Sequence, residues 1–208
     1  MDENYNHTAL NSSVNGILYV VATPIGNMAD ITFRAIQTLK DVALIAAEDT
    51  RHTRRLLMHY AIRNNMISLH EHNENQRADV LVKRLRSGES IALVSDAGTP
   101  TLSDPGYRLI KESIASGIRV VPIPGASAVL ASLCASGLPT DAYVFMGFLP
   151  RKEGKRQKLL KSLANEKKTM VFYESPRRIS LLINDLVETL GDRQAVLSRE
   201  MTKRHEEF

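Results

Sequence analysis

One rhythm governs what this chain can fold into: short apolar or β-branched runs alternate with segments whose apolar residues recur three or four positions apart. The runs lie at 17–22, 42–46, 66–69, 91–95, 118–123, 143–148, 169–173 and 195–198, and each is an expected strand. Between them, stripes such as Ile31, Ala35, Ile36 and Leu39, or Leu81, Val82 and Leu85, predict amphipathic helices. Leu109, Ile110 and Ile114 mark a further stripe, and Leu181, Leu182, Leu186, Val187 and Leu190 a late one. Asp30 is placed to cap the first helix and Gly191 to end the last. The runs lack strict alternation, the pattern of strands buried on both faces in a parallel sheet covered by helices. The fold class is therefore α/β.

A chain of 208 residues allows one large domain or two modest ones. The turn-rich stretch Ser136-Gly137-Leu138-Pro139-Thr140 precedes a shift in charge. Residues 1–150 carry 13 basic and 14 acidic residues, whereas 151–208 carry 14 and 9. The reading is a disordered polar tail over 1–15, an N-terminal α/β domain over 16–139 and a C-terminal α/β domain over 140–208. With only three expected strands, the last domain reads as incomplete. The tail has neither the basic start nor the apolar core of a signal peptide, so its sequons at Asn6 and Asn11 read as chance matches. No apolar run approaches the roughly 18–20 residues a membrane helix needs. The single cysteine, Cys134, permits no internal disulfide, sits in an apolar helical run and reads as core. These features predict a cytoplasmic protein with no membrane partner.

The unusual residues fall just after strands. The first strand runs into Thr23-Pro24-Ile25-Gly26-Asn27, the second into Glu48-Asp49-Thr50-Arg51, and the seventh into Tyr173-Glu174-Ser175-Pro176. The fourth gives Ser95-Asp96-Ala97-Gly98-Thr99-Pro100, then Ser103-Asp104-Pro105-Gly106, and the fifth Pro124-Gly125-Ala126-Ser127-Ala128. Any one such turn is explained by chain reversal. Five on one sheet edge point to a ligand cleft, because helix N-termini and free amides converge beyond the carboxyl ends of parallel strands. No G-x-G-x-x-G, Walker loop or nucleophile elbow is present. Loops 96–100 and 124–128 hold no Lys or Arg, which a polyphosphate would want. Small residues there suit a flat, largely uncharged group, which favours a nucleoside cofactor without phosphates. His70-Glu71-His72 does not match the spacing of a helical zinc site, and no metal is expected. Glu48, Asp49, Asp96 and Asp104 read as capping or pairing carboxylates, with magnesium the alternative. The block at 151–168, with eight basic and two acidic residues, is either a solvated helix face or a patch for a nucleic-acid backbone.

The ordered series TPIGN, ITxRAxxxL, EDTRxT, SDAGTPxxSDPG, PGxSA, SGLPT, GFLPRK, FYESPxR and REMTKxHEE resembles the ribosomal RNA small subunit methyltransferase I family. That family belongs to the tetrapyrrole-methylase-like, class III S-adenosylmethionine-dependent methyltransferases. The resemblance runs from about Gly16 to Glu207. It implies two α/β domains with the cofactor in a cleft between them, a homodimer, and C-terminal truncation, since family members continue past REMTKxHEE. The implied reaction is methylation of the ribose 2′-hydroxyl of a cytidine in the decoding region of small-subunit rRNA, naked or in the assembled subunit. Matching motifs assign Asp96, Ala97, Gly98, Thr99, Leu102, Ser127, Ala128, Phe172 and Tyr173 to S-adenosylmethionine. Pro24 and Gly26 fall on the substrate side, with Arg51, Arg151, Lys152, Lys155 and Arg156 as candidate RNA contacts. Arg177 stands where members often carry His, a departure that bears on an RNA contact. Asp49 and Glu174 are the candidate general bases, each with the alternative of capping a helix or pairing with an Arg. Two other classes share these features: a small-molecule tetrapyrrole methylase, against which the basic block counts, and a non-catalytic RNA-binding module.

Overall fold

A computed structural model of the chain describes residues 15–208, so all but the last residue of the expected tail, and both sequons, lie outside the described residues. The chain divides into two compact units whose segments interleave. Of the described residues, the first comprises 15–21, Phe33–Asp96 and Pro105–Ile123; the second comprises Ala22–Thr32, Ala97–Asp104 and Pro124–Phe208. The sequence boundary near Thr140 thus lies inside the second unit, which already begins to gather at Ala22.

Unit 1 is built on a five-stranded, all-parallel sheet in the order β3-β2-β4-β1-β5. Its strands are β1 (Ile17–Val21), β2 (Leu44–Ala47), β3 (Met66–Ser68), β4 (Ile91–Val94) and β5 (Arg119–Ile123). Central strands β2 and β4 are buried at every position, which is why they read as unbroken apolar runs. Helices α1 (Phe33–Asp41), α2 (Thr50–His59), α3 (Glu74–Arg86) and α4 (Tyr107–Ala115) complete the unit. Leu81 and Leu85 of α3 and Leu109 of α4 join Leu18, Leu44 and Leu93 in one core. Ile114, the third member of the α4 stripe, is exposed. The start of α4 requires glycine: Gly106 has φ +118, and a Cβ there would lie 2.6 Å from Leu93 Cδ2. Glu74 Oε1 accepts from the N–H groups of Gly106 (3.1 Å) and Arg108 (2.8 Å), putting a negative charge at that helix N-terminus.

In unit 2, α5 (Ala128–Ala135) is followed by β6 (Tyr143–Phe148), α6 (Glu153–Ser162), β7 (Thr169–Tyr173) and α7 (Ile179–Leu190). Strands β6 and β7 form a parallel pair with a register irregularity between Phe145 and Gly147. Leu149, Leu160 and Leu182 make the small core, with Met146, Leu159, Phe172 and Leu186 packed on it. Gly191, at φ 75, ends α7 as expected.

Three expectations are corrected. Residues 195–198 form no strand: Val196 and Leu197 are exposed, and Ser198 is held by a 2.6 Å hydroxyl contact with Ser132 rather than by a ladder. β-propensity makes no strand without a neighbour to pair with. Asp30 does not cap α1; it closes a 3₁₀ turn, Met28–Asp30, whose cap is Asn27, and α1 starts at Phe33. Cys134 is exposed: α5 is apolar apart from Ser132, so its sequence does not mark which face is buried.

Candidate functional site

The carboxylates after β2 and β4 hold one another's backbone in unit 1. Asp96 Oδ1 accepts from the N–H of Asp49 (3.1 Å), and Glu48 Oε2 accepts from the N–H of Asp96 (3.2 Å). Asp49 also caps α2, accepting from the N–H of Arg51 at 2.8 Å, and receives the Arg51 guanidinium at 2.7 Å. The Arg51 side chain and N–H hold the Asp49 carboxyl far below the usual carboxylate range. Such a group keeps its charge but is a poor proton acceptor at neutral pH. Arg51 is correspondingly raised by its bond to Asp49.

The remaining cofactor candidates gather in unit 2. Thr23 and Gly98 exchange backbone hydrogen bonds of 2.8 and 3.0 Å, joining loop 22–27 to loop 97–104. The Thr99 hydroxyl donates to the carbonyl of Ala126 at 3.3 Å, bringing in loop 124–128. Glycine is needed twice in this assembly. Gly98 is buried at φ +81, and a Cβ would lie 3.3 Å from Ile25 Cγ2; a Cβ on Gly125 would lie 2.9 Å from that of Ala22. Thr101 (φ 73) and Ser103 (φ 70) occupy the left-handed region without being glycine, the kind of strain that clusters at ligand loops. Leu102, between them, is exposed.

The carboxyl ends of β6 and β7 meet the same loops. A Cβ at Gly147, whose φ is +60, would lie 2.7 Å from Ser103 Oγ. Tyr173 packs edge-on against Phe145 and tilts on Phe148, with centroids 5.0 and 5.4 Å apart. Burial and the nearby Asp104 charge push the Tyr173 hydroxyl up from its ordinary value, so it stays a neutral donor. Ser127 precedes α5 without capping it, which leaves its hydroxyl out of the helix. Loops 97–99 and 124–128 therefore present small side chains, backbone groups and two hydroxyls, that of Thr99 already committed to Ala126, with no charged residue. That set fits an uncharged nucleoside moiety and does not fit a polyphosphate.

Glu174 ends β7 with a side chain only 3% exposed. Its Oε1 accepts from the N–H of Ser175 at 2.7 Å. Arg178 Nη2 approaches Oε2 to 3.1 Å, yet no aligned hydrogen bond reaches that oxygen among the described residues. The residue borders a cavity of about 450 Å³ lined by Phe148, Leu149, Arg151, Glu174, Ser175, Arg177 and Arg178.

Arg156 is a correction. It is 1% exposed and forms a buried ion pair with Asp185 of α7, with Nη1 donating to the carbonyl of Arg151 at 3.1 Å. It packs unit 2 and cannot contact RNA, whereas Arg151, Lys152 and Lys155 are exposed. Sequence reasoning missed a cover on the TPIGN loop. Thr202 Oγ1 accepts from the N–H of Asn27 at 3.1 Å, and Met201 and Lys203 fill the space a Cβ of Gly26 would take. The signal was the last motif of the series, REMTK at 199–203, which says nothing by itself about which loop it meets.

A parallel five-stranded α/β sheet with glycine- and proline-rich loops at strand ends, interleaved in sequence with a second α/β unit on a two-stranded sheet, is the arrangement of a tetrapyrrole-methylase-type fold. The family model for Tetrapyrrole (Corrin/Porphyrin) Methylases matches residues 17–208. Uroporphyrin-III C-methyl transferase from Thermus thermophilus, solved with S-adenyl homocysteine, shares the fold at a TM-score of 0.63 and 18% identity, covering 92% of this chain and 86% of that one. The chain belongs to the ribosomal RNA small subunit methyltransferase I family. It is 52% identical to that protein of Haemophilus influenzae over 193 residues, covering 92% of this chain and 68% of the relative. With the Synechocystis sp. protein it shares 53% identity, over 93% of this chain and 70% of the relative. The chain thus spans about two thirds of the length of these relatives.

Proposed function

We propose that this chain methylates the ribose 2′-hydroxyl of a cytidine in the decoding region of 16S small-subunit rRNA, with S-adenosylmethionine as donor. The observation that carries the reading is Glu174: a buried carboxylate, ion-paired to Arg178 at 3.1 Å without an aligned hydrogen bond, that borders a cavity edged by Arg151 and Arg177. The cofactor supplies an electrophilic methyl group. Ala97, Gly98, Thr99, Leu102, Ser127, Ala128, Phe172 and Tyr173 would hold its adenosine and methionine parts, and Asp96 braces the loop that precedes them. Arg151, Arg177, Lys152 and Lys155 would bind phosphates, and the bidentate guanidinium fork fits them best. Pro24 and Gly26 would border the bound nucleotide. Glu174 takes the hydroxyl proton as the oxygen attacks in line, which requires it within hydrogen-bond reach of that hydroxyl.

Of the two candidate bases, both oxygens of Asp49 hold aligned hydrogen bonds from Arg51, whereas Glu174 Oε2 has only the unaligned approach of Arg178, which favours Glu174. Exposed cations along 151–168 favour RNA over a tetrapyrrole, which needs no extended phosphate surface. No helix among the described residues is long and apolar enough to cross a membrane, in keeping with a cytoplasmic enzyme on ribosomal substrates. The homodimer is part of the same reading, checked by sedimentation equilibrium.

The deciding assay is methyl transfer from labelled S-adenosylmethionine to small ribosomal subunits, followed by alkaline hydrolysis, which a 2′-O-methyl group blocks at the modified nucleotide. Glu174→Gln lowers kcat by about 10²–10⁴-fold with cofactor affinity retained, while Asp49→Asn leaves transfer within a few-fold. Full activity in Glu174→Gln removes it as the base. Label in an alkali-labile position rules out the 2′-oxygen.

A further inference from the structure

Unit 1 carries a second concave surface, which none of the cofactor candidates lines. It is a groove of about 710 Å³ lined by Thr50, Arg54, Leu57, Met58, Ile62, Arg63, Asn64, Asn65 and Met66. That volume is within the range of small-ligand sites, roughly 300–1,000 Å³. Helix α2 reads TRHTRRLLMH, and its inner face buries Thr53, Leu56 and Leu57. Thr50, Arg54, Leu57 and Met58 follow at helical spacing and line the groove from one side. The chain then turns through Ala61, a non-glycine residue at φ 51, and the hydrogen bond from the N–H of Ile62 to the carbonyl of Leu57, 2.8 Å, fixes the return. This turn brings Arg63 to the groove that Arg54 already lines.

Several guanidiniums of unit 1 are committed to carboxylates. Arg51 is paired with Asp49, Arg84 with Glu89 and Arg108 with Glu112. The Arg54 and Arg63 guanidiniums, like those of Arg34, Arg55, Arg77 and Arg119, have no ion-pair or hydrogen-bond partner among the described residues, and Arg54 and Arg63 are the two that line the groove. Among the described residues, none of those lining the groove is acidic. Asn64 is committed, donating to the carbonyls of Leu39 and Val42 at 2.9 and 2.8 Å, and so forms a rigid wall. Leu57 and Ile62 give an apolar floor, and Met58 stands 74% exposed at its edge. A solvated helix face would be convex and laced with carboxylates; this surface is concave, cationic and apolar at its base.

We propose that the α2 groove seats a nucleotide of the RNA substrate, with Arg54 and Arg63 on flanking phosphates and a base over Met58 and Ile62. Guanidiniums match phosphate oxygens in bidentate fashion, and a flexible thioether adapts to any flat ring. The seat rests on the rRNA-methyltransferase reading and deepens it, by adding an RNA contact on unit 1 to the cations of 151–168 on unit 2.

The test is fluorescence anisotropy of this chain with a labelled oligoribonucleotide from the decoding region, titrated between about 50 and 200 mM salt. Arg54→Gln/Arg63→Gln is compared with Lys111→Gln/Arg119→Gln, which removes the same charge from exposed sites elsewhere in unit 1. Loss of two phosphate contacts lowers the slope of log K against log salt by about 1.4 for single-stranded RNA. The groove pair is expected to show that loss, with at least about tenfold weaker binding, while the control pair keeps its slope. S-adenosylmethionine affinity and melting temperature, unchanged in both pairs, confirm folding. Equal slopes and affinities for the two pairs overturn the groove but leave the enzymatic reading standing. Wild-type chain that binds S-adenosylmethionine yet no RNA overturns both. Equal competition by poly-glutamate overturns the assignment to RNA.

Discussion

Arg156 and Asp49 show how much a single side chain's surroundings change its meaning. Both belong to polar motifs after strands or in a basic block, where composition alone suggests a substrate contact. In the folded chain, Arg156 is enclosed and neutralised by Asp185, and Asp49 is consumed by its cap and by Arg51. Glu174, from an equally polar motif, keeps an oxygen that no aligned donor reaches among the described residues. The buried pair makes a sharp prediction. Arg156→Met strands a buried carboxylate and destabilises the chain by about 3–5 kcal/mol. The double change Arg156→Met/Asp185→Leu recovers most of that loss, because apolar residues of similar volume replace a buried ion pair at little cost. Urea midpoints of the two variants decide it; equal destabilisation in both would show that packing, not the stranded charge, sets the penalty.

At the scale of elements, stability in unit 2 depends on where loops meet strand ends. The β6–β7 pair breaks register between Phe145 and Gly147, and Gly147 takes a positive φ against Ser103. An alanine there adds a Cβ 2.7 Å from Ser103 Oγ in a conformation L residues resist. Gly147→Ala is expected to cost about 1–3 kcal/mol. It also raises the Kd for S-adenosylmethionine, since Ser103 belongs to the loop that carries Gly98 and Thr99. Gly137→Ala is the comparison: φ is similarly positive, but no atom lies within 4 Å of its Cβ position, so only the backbone penalty applies. Cofactor affinity falling equally in both variants would separate the loop contact from binding. Residues 195–198 teach the complementary lesson, that an apolar run becomes a strand only when a ladder is available to receive it.

For the whole molecule, the interleaving of the two units matters most. Loops 22–32 and 97–104 leave unit 1 at the ends of β1 and β4 and take their contacts in unit 2. Every cofactor candidate except Asp96 therefore belongs to one compact unit. S-adenosylmethionine at about 100 times its Kd is expected to stabilise the state that binds it by about 2.7 kcal/mol. In a chain of this size that raises the melting temperature by roughly 5–10 °C. Equimolar ATP, whose phosphates find no cation in loops 97–99 and 124–128, leaves it unmoved. A calorimetric scan with no shift from S-adenosylmethionine, or an equal shift from both, contradicts the phosphate-free cradle.

Periodicity and turn chemistry determined much of this protein. The α/β class, seven strands within a residue or two of their bounds, the stop at Gly191 and the absence of Lys and Arg from loops 96–100 and 124–128 all follow from local rules acting over a few residues. Those rules are local because helix and strand periods, and the backbone freedom of glycine, are properties of neighbouring positions. Only the tertiary structure decided which loops meet: Thr23 with Gly98, Thr99 with Ala126, Gly26 with Met201 and Lys203. It alone separated buried Arg156 from exposed Lys155, and brought Arg54 and Arg63 to one groove. Burial and pairing depend on residues distant in sequence, so adjacent positions with the same chemistry can end in opposite surroundings.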